Sequence, residues 1–269
     1  MMLKYVTVAM SVLLATSSSA RAHDYWLQPQ QFSLSEGKTT SVRLFVGDHF
    51  VSEAERQYGG KKTVDFQLIS RKGTIDLKAA AKEGERPVAT IAPKGVGNHL
   101  VVMERDWSHI ELAAEKFNKY LEHEGLSRIL ELRSKAGEEK TAGRERYRRY
   151  LKALVQVGDA SDDTYKRKTG HRLEILPHTN PSTSNTGDRL AVSILFEGKP
   201  LRDAQIAAYN RNGDDTQTQE ARTDDKGRVR FKLDQSGLWL IRLVHMQRCR
   251  NVRGYDWESF WASYSFRLK

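Results

Sequence analysis

The sequence is poor in cysteine and contains no long apolar run. Its 269 residues include one cysteine, Cys249, which excludes an internal disulfide framework, four-thiolate zinc sites and iron–sulfur clusters. No stretch approaches the roughly 18 consecutive apolar residues that a transmembrane helix requires. The sequence also lacks the G-x-S-x-G elbow, the Walker loop, H-E-x-x-H and C-x-x-C, which argues against common hydrolases, nucleotide enzymes and thiol oxidoreductases.

The composition is that of a folded globular protein with a basic surface. Hydrophobic residues make up 39% and charged residues 29%, so the chain is too apolar to be disordered and too polar to be a membrane bundle. The length suggests two domains. Lysine and arginine number 44 against 34 acidic residues, which gives a formal net charge of +10.

The N-terminus has the pattern of a secretory signal. Lys4 precedes an apolar run at 5–15, and small, polar residues lead to the A-x-A sequence Ala20-Arg21-Ala22. We therefore predict a cleavable signal peptide over residues 1–22 and export to a bacterial periplasm. Removal of this segment leaves a formal net charge of +8.

Cleavage after Ala22 would make His23 the first residue of the mature chain. An N-terminal histidine offers an α-amine and an imidazole, and the amine titrates near pH ~8 and so yields its proton to a metal near neutrality. Together the two nitrogens form a chelate suited to Cu(II) or Ni(II). Cleavage after Ala20 would remove this chelate and leave His23 as the first ordered residue of a strand.

Two regions of the mature chain alternate in the manner of β-strands. Residues 23–107 contain short alternating runs such as TTSVRLFVG and TVDFQLIS, which predict an N-terminal β-sandwich. Residues 171–269 return to the same pattern in DRLAVSILFEG, LWLIRLVHM and SFWASYSFRLK. We expect a mainly β protein of two β-sandwich domains joined by an α-helical insertion.

The region between them changes period. Apolar residues recur every three or four positions from Ile110 to Leu121, and RERYRRYLKALVQVG can be arranged on a helix with one apolar face, so we predict a helical segment over 108–158. Residues 159–170 are polar and predict a linker. The opposite face of the second helix would be basic, which suggests contact with a partner or, peripherally, with membrane headgroups. Nucleic acid is not an expected partner of an exported protein. The basic residues of this face are Arg144, Arg148, Arg149 and Lys152.

The C-terminal region resembles a prealbumin-like or carboxypeptidase-regulatory-like β-sandwich. The resemblance rests on the turn GKPL, the strand AQIAAYN, the hairpin turn TDDKG and the strand start GLW. In TDDKG the glycine accepts a positive φ, as a tight hairpin requires. The resemblance implies that the tryptophan of GLW enters the core between two sheets.

The whole mature chain resembles the DUF4198 family, a group of exported proteins often described as nickel- or cobalt-transport periplasmic components. The resemblance rests, in order, on HDYWLQP, GNHLVVMER, EKFNKYLEHEGL, RERYRRYLKALVQVG, LEILPHTNP, ARTDDKGRV, GLWLIRLVHM and WESFWASYSF. It implies handling of a transition metal, with an inner-membrane metal transporter as the partner.

Five residues are candidate metal ligands. His23 leads, and the resemblance points to His99 in GNHLVVMER and His245 in LVHM as its partners. Asp24 is a candidate oxygen ligand or an orienting group for His23, and His49, beside Asp48, is a candidate at the same rim of the sandwich. Each also has an ordinary interpretation: a surface or capping histidine for His99, a core histidine for His245 and a strand-start solvent contact for Asp24.

Three functions are compatible with these residues. The first is a non-catalytic periplasmic protein that binds nickel, cobalt or copper for uptake or buffering. The second is a copper-dependent oxidative enzyme that uses the same N-terminal chelate. The third is a metal-independent module that binds a protein or glycan through aromatic residues such as Tyr25, Trp26 and Trp261.

Overall fold

The structure is a computed structural model and describes residues 23–269, so the predicted signal peptide lies outside the described residues. The chain is mainly β with one short helical segment, as predicted. Between the elements lie 3-10 turns at Gly60–Lys62, Asp163–Lys166 and Pro181–Thr183. No helix in this part of the chain is long and apolar enough to cross a membrane. In chain order the elements are β1 (Asp24–Pro29), β2 (Ser33–Leu34), β3 (Thr40–Asp48), β4 (Val51–Arg56), β5 (Thr63–Ser70), β6 (Gly73–Asp76), β7 (Ala89–Ile91), β8 (Gly97–Leu112), α1 (Ala114–His123), α2 (Ser127–Lys135), β9 (Gly143–Val157), β10 (Leu173–Pro177), β11 (Arg189–Phe196), β12 (Lys199–Pro200), β13 (Gln205–Asn212), β14 (Asp215–Arg222), β15 (Arg228–Lys232), β16 (Gly237–Arg248) and β17 (Trp257–Leu268).

One nine-stranded sheet, called here the central sheet, contains strands from both predicted sandwich regions. Its order is β14-β13-β16-β17-β9-β8-β5-β6, and β2 also pairs with β9. The long strands β8 and β9 pair antiparallel, whereas β17 runs parallel to β9. The N-terminal and C-terminal parts of the chain are therefore joined through β9 and β17 rather than through a helical insertion alone.

Two four-stranded sheets cover opposite faces of the central sheet. The N-terminal sheet (β1-β3-β4, with β7 beside β3) and the C-terminal sheet (β10-β11-β12, with β15 beside β11) contact alternate residues of the central strands. On β8, Val101 and Met103 pack towards the N-terminal sheet with Leu44, while Leu100 and Val102 pack towards the C-terminal sheet. This period of two follows from the pleat of a strand. The result is three β layers with a core on each side of the middle one.

The predicted helix over RERYRRYLKALVQV is wrong, because these residues form β9. The strand is buried on both faces over Tyr150–Val157, so its apolar residues form a nearly continuous run instead of a strict alternation. Such a run also fits a helical stripe. The basic face predicted for that helix does not form: Arg144 pairs with Asp256, Arg148 with Glu104, and Lys152 with Glu174. A membrane contact through a basic helix is therefore not retained.

Residues 159–170, predicted as a polar linker, are fixed to the C-terminal core. Asp162 caps the 3-10 turn by accepting a hydrogen bond from the Thr164 amide at 2.8 Å. Tyr165 is buried, and its carbonyl accepts a 2.9 Å hydrogen bond from the hydroxyl of buried Tyr264. Residues 159–170 therefore pack as part of the C-terminal core.

The helical segment is α1 and α2, which pack against the central sheet. The apolar stripe predicted for the first helix is present in Phe117 and Leu121, and these contact Val244 and Trp261. The predicted start of the helix at residue 108 is too early, because β8 continues to Leu112 and α1 begins at Ala114. This packing brings the C-terminal end of α1 over β16 and close to the turn between β3 and β4.

Candidate metal centre

A tight hairpin turn presents His49 at the surface. Asp48 and Val51 are paired across the turn, and the two central residues, His49 and Phe50, have φ values of 48° and 63°. Positive φ at both central positions is the geometry of a two-residue hairpin that normally uses glycine or asparagine. The preceding Gly47 is required, because a Cβ there would lie 1.9 Å from the Val51 carbonyl oxygen.

Burial of Phe50 offsets the cost of this backbone conformation. Its side chain is 1% exposed and meets the indole of Trp26 edge to face, with ring centroids 5.2 Å apart. The guanidinium of Arg211 lies over the same ring at 4.8 Å and donates to the Phe50 carbonyl oxygen. The anchored phenylalanine leaves its neighbour, His49, directed outwards. Non-glycine residues in this region of φ are concentrated at functional sites.

His123, the last residue of α1, meets His49 at this surface. The two Nε2 atoms lie 3.4 Å apart, and the rings are nearly perpendicular. The Nε2 of His49 is also 3.8 Å from a carboxylate oxygen of Asp48. Asp48, His49 and His123 form a possible three-ligand metal site among residues 23–269, because their ligand atoms all lie within 4.8 Å of one another.

A buried carboxylate stands behind His123. Nδ1 of His123 lies 3.3 Å from Oε1 of Glu124, and a carboxylate can only accept a hydrogen bond, so Nδ1 carries the proton. The neutral ring then presents the lone pair of Nε2 towards His49. Carboxylate–histidine pairs of this kind orient metal-ligating imidazoles and raise their basicity. This hydrogen bond also raises the pKa of His123 above its ordinary value.

Arg242 on β16 joins this carboxylate to Asp24. It donates to Glu124 at 2.5 Å and to Asp24 at 2.6 Å, and all three side chains are buried. Burial raises the pKa of Asp24 to about 6 even beside the guanidinium. Burial would likewise raise the pKa of Glu124, but Arg242 and His123 together bring it below its ordinary value. Glu124 is therefore the carboxylate that stays ionised most firmly.

The centre offers a metal two imidazole nitrogens and one carboxylate oxygen. Imidazole suits nickel, copper, cobalt and zinc, and the carboxylate adds charge compensation for a divalent ion. The side chains of His49 and His123 are 52% and 48% exposed, so the outer side of the centre is open to water or a further ligand.

The five predicted ligands do not form one cluster. His49 is in the centre with Asp48, but its partner there is His123 and not His23, His99 or His245. Asp24 is behind it, bound to Arg242 instead of orienting His23. The imidazole of His23 points elsewhere, with Nε2 3.0 Å from Glu53. The chelating amine proposed for His23 depends on cleavage beside residues that lie outside the described range.

His99 and His245 are in separate surroundings. His99 is 2% exposed, and its ring nitrogens lie 3.3 Å and 3.4 Å from the carbonyl oxygens of Gly97 and Lys94. His245 packs against the ring of Phe196, with centroids 4.3 Å apart. Burial lowers the pKa of His99, and burial together with Arg128 lowers the pKa of His245 to about 4. His245 fits its ordinary interpretation as a packed histidine, whereas His99 is buried instead of lying at the surface.

Sequence reasoning missed His123, Glu124 and Arg242. His123 is exposed and lies off the apolar stripe of its helix, so the helical pattern alone indicates an ordinary solvated residue. The available signal was the His-Glu doublet at the end of an amphipathic helix, which supplies an imidazole and its carboxylate partner together. Their meeting with His49 depends on tertiary packing.

Comparisons with known proteins give a family and distant structural likenesses. No curated protein matches this chain. The chain is similar to the D0-D1 domain of intimin at 12% identity and a TM-score of 0.21, over 91% of this chain and 98% of that one. A tetra-tandem repeat in the extending region of a large adhesion protein (10% identity, TM-score 0.24, 92% of this chain and 50% of that one) and Salmonella alpha-2-macroglobulin reacted with methylamine (9%, 0.23, 91% and 14%) are also similar. Likenesses this distant carry no argument about function.

The family match is extensive. The family model described as "domain of unknown function (DUF4198)" matches residues 20–247, which is most of the 269 residues. The chain belongs to the DUF4198 family.

Proposed function

We propose that this protein is a periplasmic transition-metal binding protein that binds nickel, cobalt or copper through His49, His123 and Asp48 without catalysing a reaction. The observation that carries the proposal is the convergence of the two Nε2 atoms at 3.4 Å with a carboxylate beside them. Two imidazoles this close repel each other when both are protonated, whereas a divalent cation uses both lone pairs.

The surroundings of His123 support a ligand role. Its Nδ1 is held by Glu124, which is held in turn by Arg242, so the ring is oriented with Nε2 outwards. An ordinary surface histidine needs no such buried support. The carboxylate of Asp48 adds negative charge where a cation would bind.

The mature N-terminus supplies a further nitrogen in this proposal. Asp24 pairs with Gly47, the residue before Asp48, and His23 directly precedes Asp24. If cleavage follows Ala22, we therefore expect the α-amine of His23 near the centre, even though its imidazole is turned towards Glu53. Uptake or buffering of the metal, with an inner-membrane transporter as recipient, is the role that the family resemblance suggests.

The test is metal binding to the mature chain by isothermal titration calorimetry with Ni²⁺, Co²⁺ and Cu²⁺. We expect one site, with binding lost in His49→Ala and His123→Ala. His109→Ala is the matched control, because His109 is exposed and outside the centre. Equal binding by all three variants and the wild type would refute the centre. Retention of Ala22 before His23 tests the amine separately, because it moves the amine one residue away.

An oxidative copper enzyme at the same centre is the second candidate. The half-exposed histidines leave coordination positions open for a substrate or oxygen, as catalytic metal sites require. Ascorbate-driven oxygen consumption by the copper-loaded protein separates the two functions. Turnover that exceeds that of free copper and disappears in His123→Ala would favour the enzyme; its absence in a copper-loaded protein would favour the carrier.

A further inference from the structure

A cavity of about 410 Å³ lies between the N-terminal sheet and the ends of β8 and β9; His23 borders it, whereas His49 and His123 do not line it. Its apolar wall is formed by aromatic and aliphatic side chains in equal number. Two charged side chains of β9, Glu145 and Arg149, line the same cavity. The aromatic residues of the wall are Tyr25, Tyr120, Tyr147 and Trp261.

Glu145 is a buried acid without a cationic partner. It is 1% exposed and accepts hydrogen bonds from the hydroxyls of Ser259 and Tyr120. Within residues 23–269, no lysine, arginine or histidine lies at ion-pair distance from it. Burial raises its pKa to about 7, although the hydrogen bonds from Ser259 and Tyr120 and the more distant charge of Arg149 partly oppose this shift.

Arg149 is a buried cation without an anionic partner. It is 9% exposed, and its guanidinium lies 4.2 Å and 4.5 Å from the ring centres of Tyr25 and Tyr147. Among residues 23–269, it donates one hydrogen bond, to the carbonyl oxygen of His23 at 3.3 Å, and its buried Nε has no partner there. Of the carboxylates that the structure describes, none lies at ion-pair distance from this guanidinium.

The two opposite charges share one wall but form no direct ion pair with each other. Residues 145, 147 and 149 point to the same side of β9, and Tyr147 stands between the charged pair. Four residues of extended strand separate their Cα atoms by about 13 Å. Burying an ion costs free energy unless an opposite charge pairs with it. The cavity wall therefore lacks a positive partner for Glu145 and a negative partner for Arg149, and the two missing groups would lie at a fixed separation.

We propose that the cavity binds a small zwitterion of about dipeptide size, with its carboxylate at Arg149, its ammonium group at Glu145 and its apolar part against the apolar wall. The volume is in the range of about 300–1,000 Å³ that small-molecule sites occupy. A free amino acid holds its two charges too close together to reach both groups across the strand. A zwitterion with several bonds between its charges reaches both.

The experiment uses three probes that differ in one charge each. The dipeptide Gly-Phe has both charges, Gly-Phe amide lacks the carboxylate, and N-acetyl-Gly-Phe lacks the ammonium group. Isothermal titration calorimetry on the mature chain is expected to show the tightest binding for Gly-Phe. Loss of either charge should weaken binding by about tenfold or more, as removal of a charged hydrogen bond does.

Two variants assign the charges to their partners. Arg149→Gln should weaken Gly-Phe and N-acetyl-Gly-Phe by about tenfold and leave the amide unchanged. Glu145→Gln should weaken Gly-Phe and the amide and leave the acetylated probe unchanged. Arg148→Gln is the matched control, because Arg148 is on the opposite face of the strand and pairs with Glu104. Binding of none of the probes by the folded wild type, or equal effects of both variants on all three, would overturn the proposal.

Discussion

The Nε2 atoms of His49 and His123 lie 3.4 Å apart although 74 positions separate the two residues in the chain. One imidazole is held by a strained hairpin turn and the other by the end of a helix. The contact therefore depends on how α1 packs over the central sheet, and it connects the helical segment to the N-terminal sheet. A metal at this position would crosslink the two.

Glu124→Gln should weaken metal binding by about 10- to 100-fold, because it removes the charge that orients and polarises His123. The amide oxygen can still accept from Nδ1, so the ring is not released completely. Titration with Ni²⁺ at neutral pH measures the effect. Glu122→Gln removes one charge from an exposed position of the same helix and should leave the affinity unchanged. Equal affinities for the two variants would show that Glu124 has no such role.

The strands were the most predictable part of the molecule. Runs such as TVDFQLIS and SFWASYSFRLK were assigned correctly, because one buried face and clear turn residues define them. The strand β9 was wrongly predicted to be a helix, because it is covered on both faces. Its buried Lys152 and Arg149 were interpreted as parts of a basic helix face. What pairs with Lys152 is Glu174, a residue of a different sheet, and a local pattern contains no information about that contact.

The candidate site was predictable only in part. The position of His49 and Asp48 after an alternating strand indicated the rim of a sandwich. The partners of His49 could not be deduced, because His99, His123 and His245 are equally plausible until the strands are ordered. The long strand β8 leads directly into α1, and this course of the chain brings His123, at the end of the helix, to the turn that contains His49.

Glu145 should make the stability of the wild type depend on pH. Its pKa is about 7 in the folded chain against an ordinary 4.5, so the folded state binds the proton more tightly. Protonation of Glu145 therefore stabilises the folded state in full below pH 4.5, and this stabilisation is lost as the pH rises through 7. This corresponds to at most about 3 kcal/mol.

Glu145→Gln should remove this dependence. Urea unfolding of the wild type and the variant across this interval isolates the contribution of Glu145 from those of the histidines, which both proteins share. The variant should gain relative stability as the pH rises. A constant difference between the two proteins would mean that Glu145 is not a buried, unpaired acid.

Lys152 and Glu174 form a buried pair that should be costly to break and cheap to replace. Their side chains are 3% and 4% exposed, and the ammonium nitrogen lies 2.8 Å from the carboxylate. Lys152→Met leaves a buried carboxylate with only the donors of Thr169, so we expect a loss of about 3–5 kcal/mol. The double variant Lys152→Met with Glu174→Leu should recover most of this loss.

Urea unfolding at neutral pH measures both variants. Lys119→Met is the control, because it breaks an exposed, solvent-screened pair with Glu115 and should leave the stability almost unchanged. A double variant as unstable as Lys152→Met alone would indicate that the volume of the lysine, and not its charge, stabilises the core.

Gly143 at the start of β9 should tolerate no side chain, because it touches the ring of Phe117 on α1. A Cβ at this position would lie 2.3 Å from two atoms of that ring, and Phe117 is fully buried and cannot move aside freely. Gly143→Ala should therefore destabilise the protein by about 1–3 kcal/mol through overpacking.

Gly59→Ala is the matched control, because its Cβ would meet only a side-chain oxygen of Glu83 at 3.8 Å. Since α1 carries His123, the strained variant should also bind nickel more weakly than the control does. Equal thermal stabilities for the two alanine variants would contradict the close packing of α1 on the central sheet.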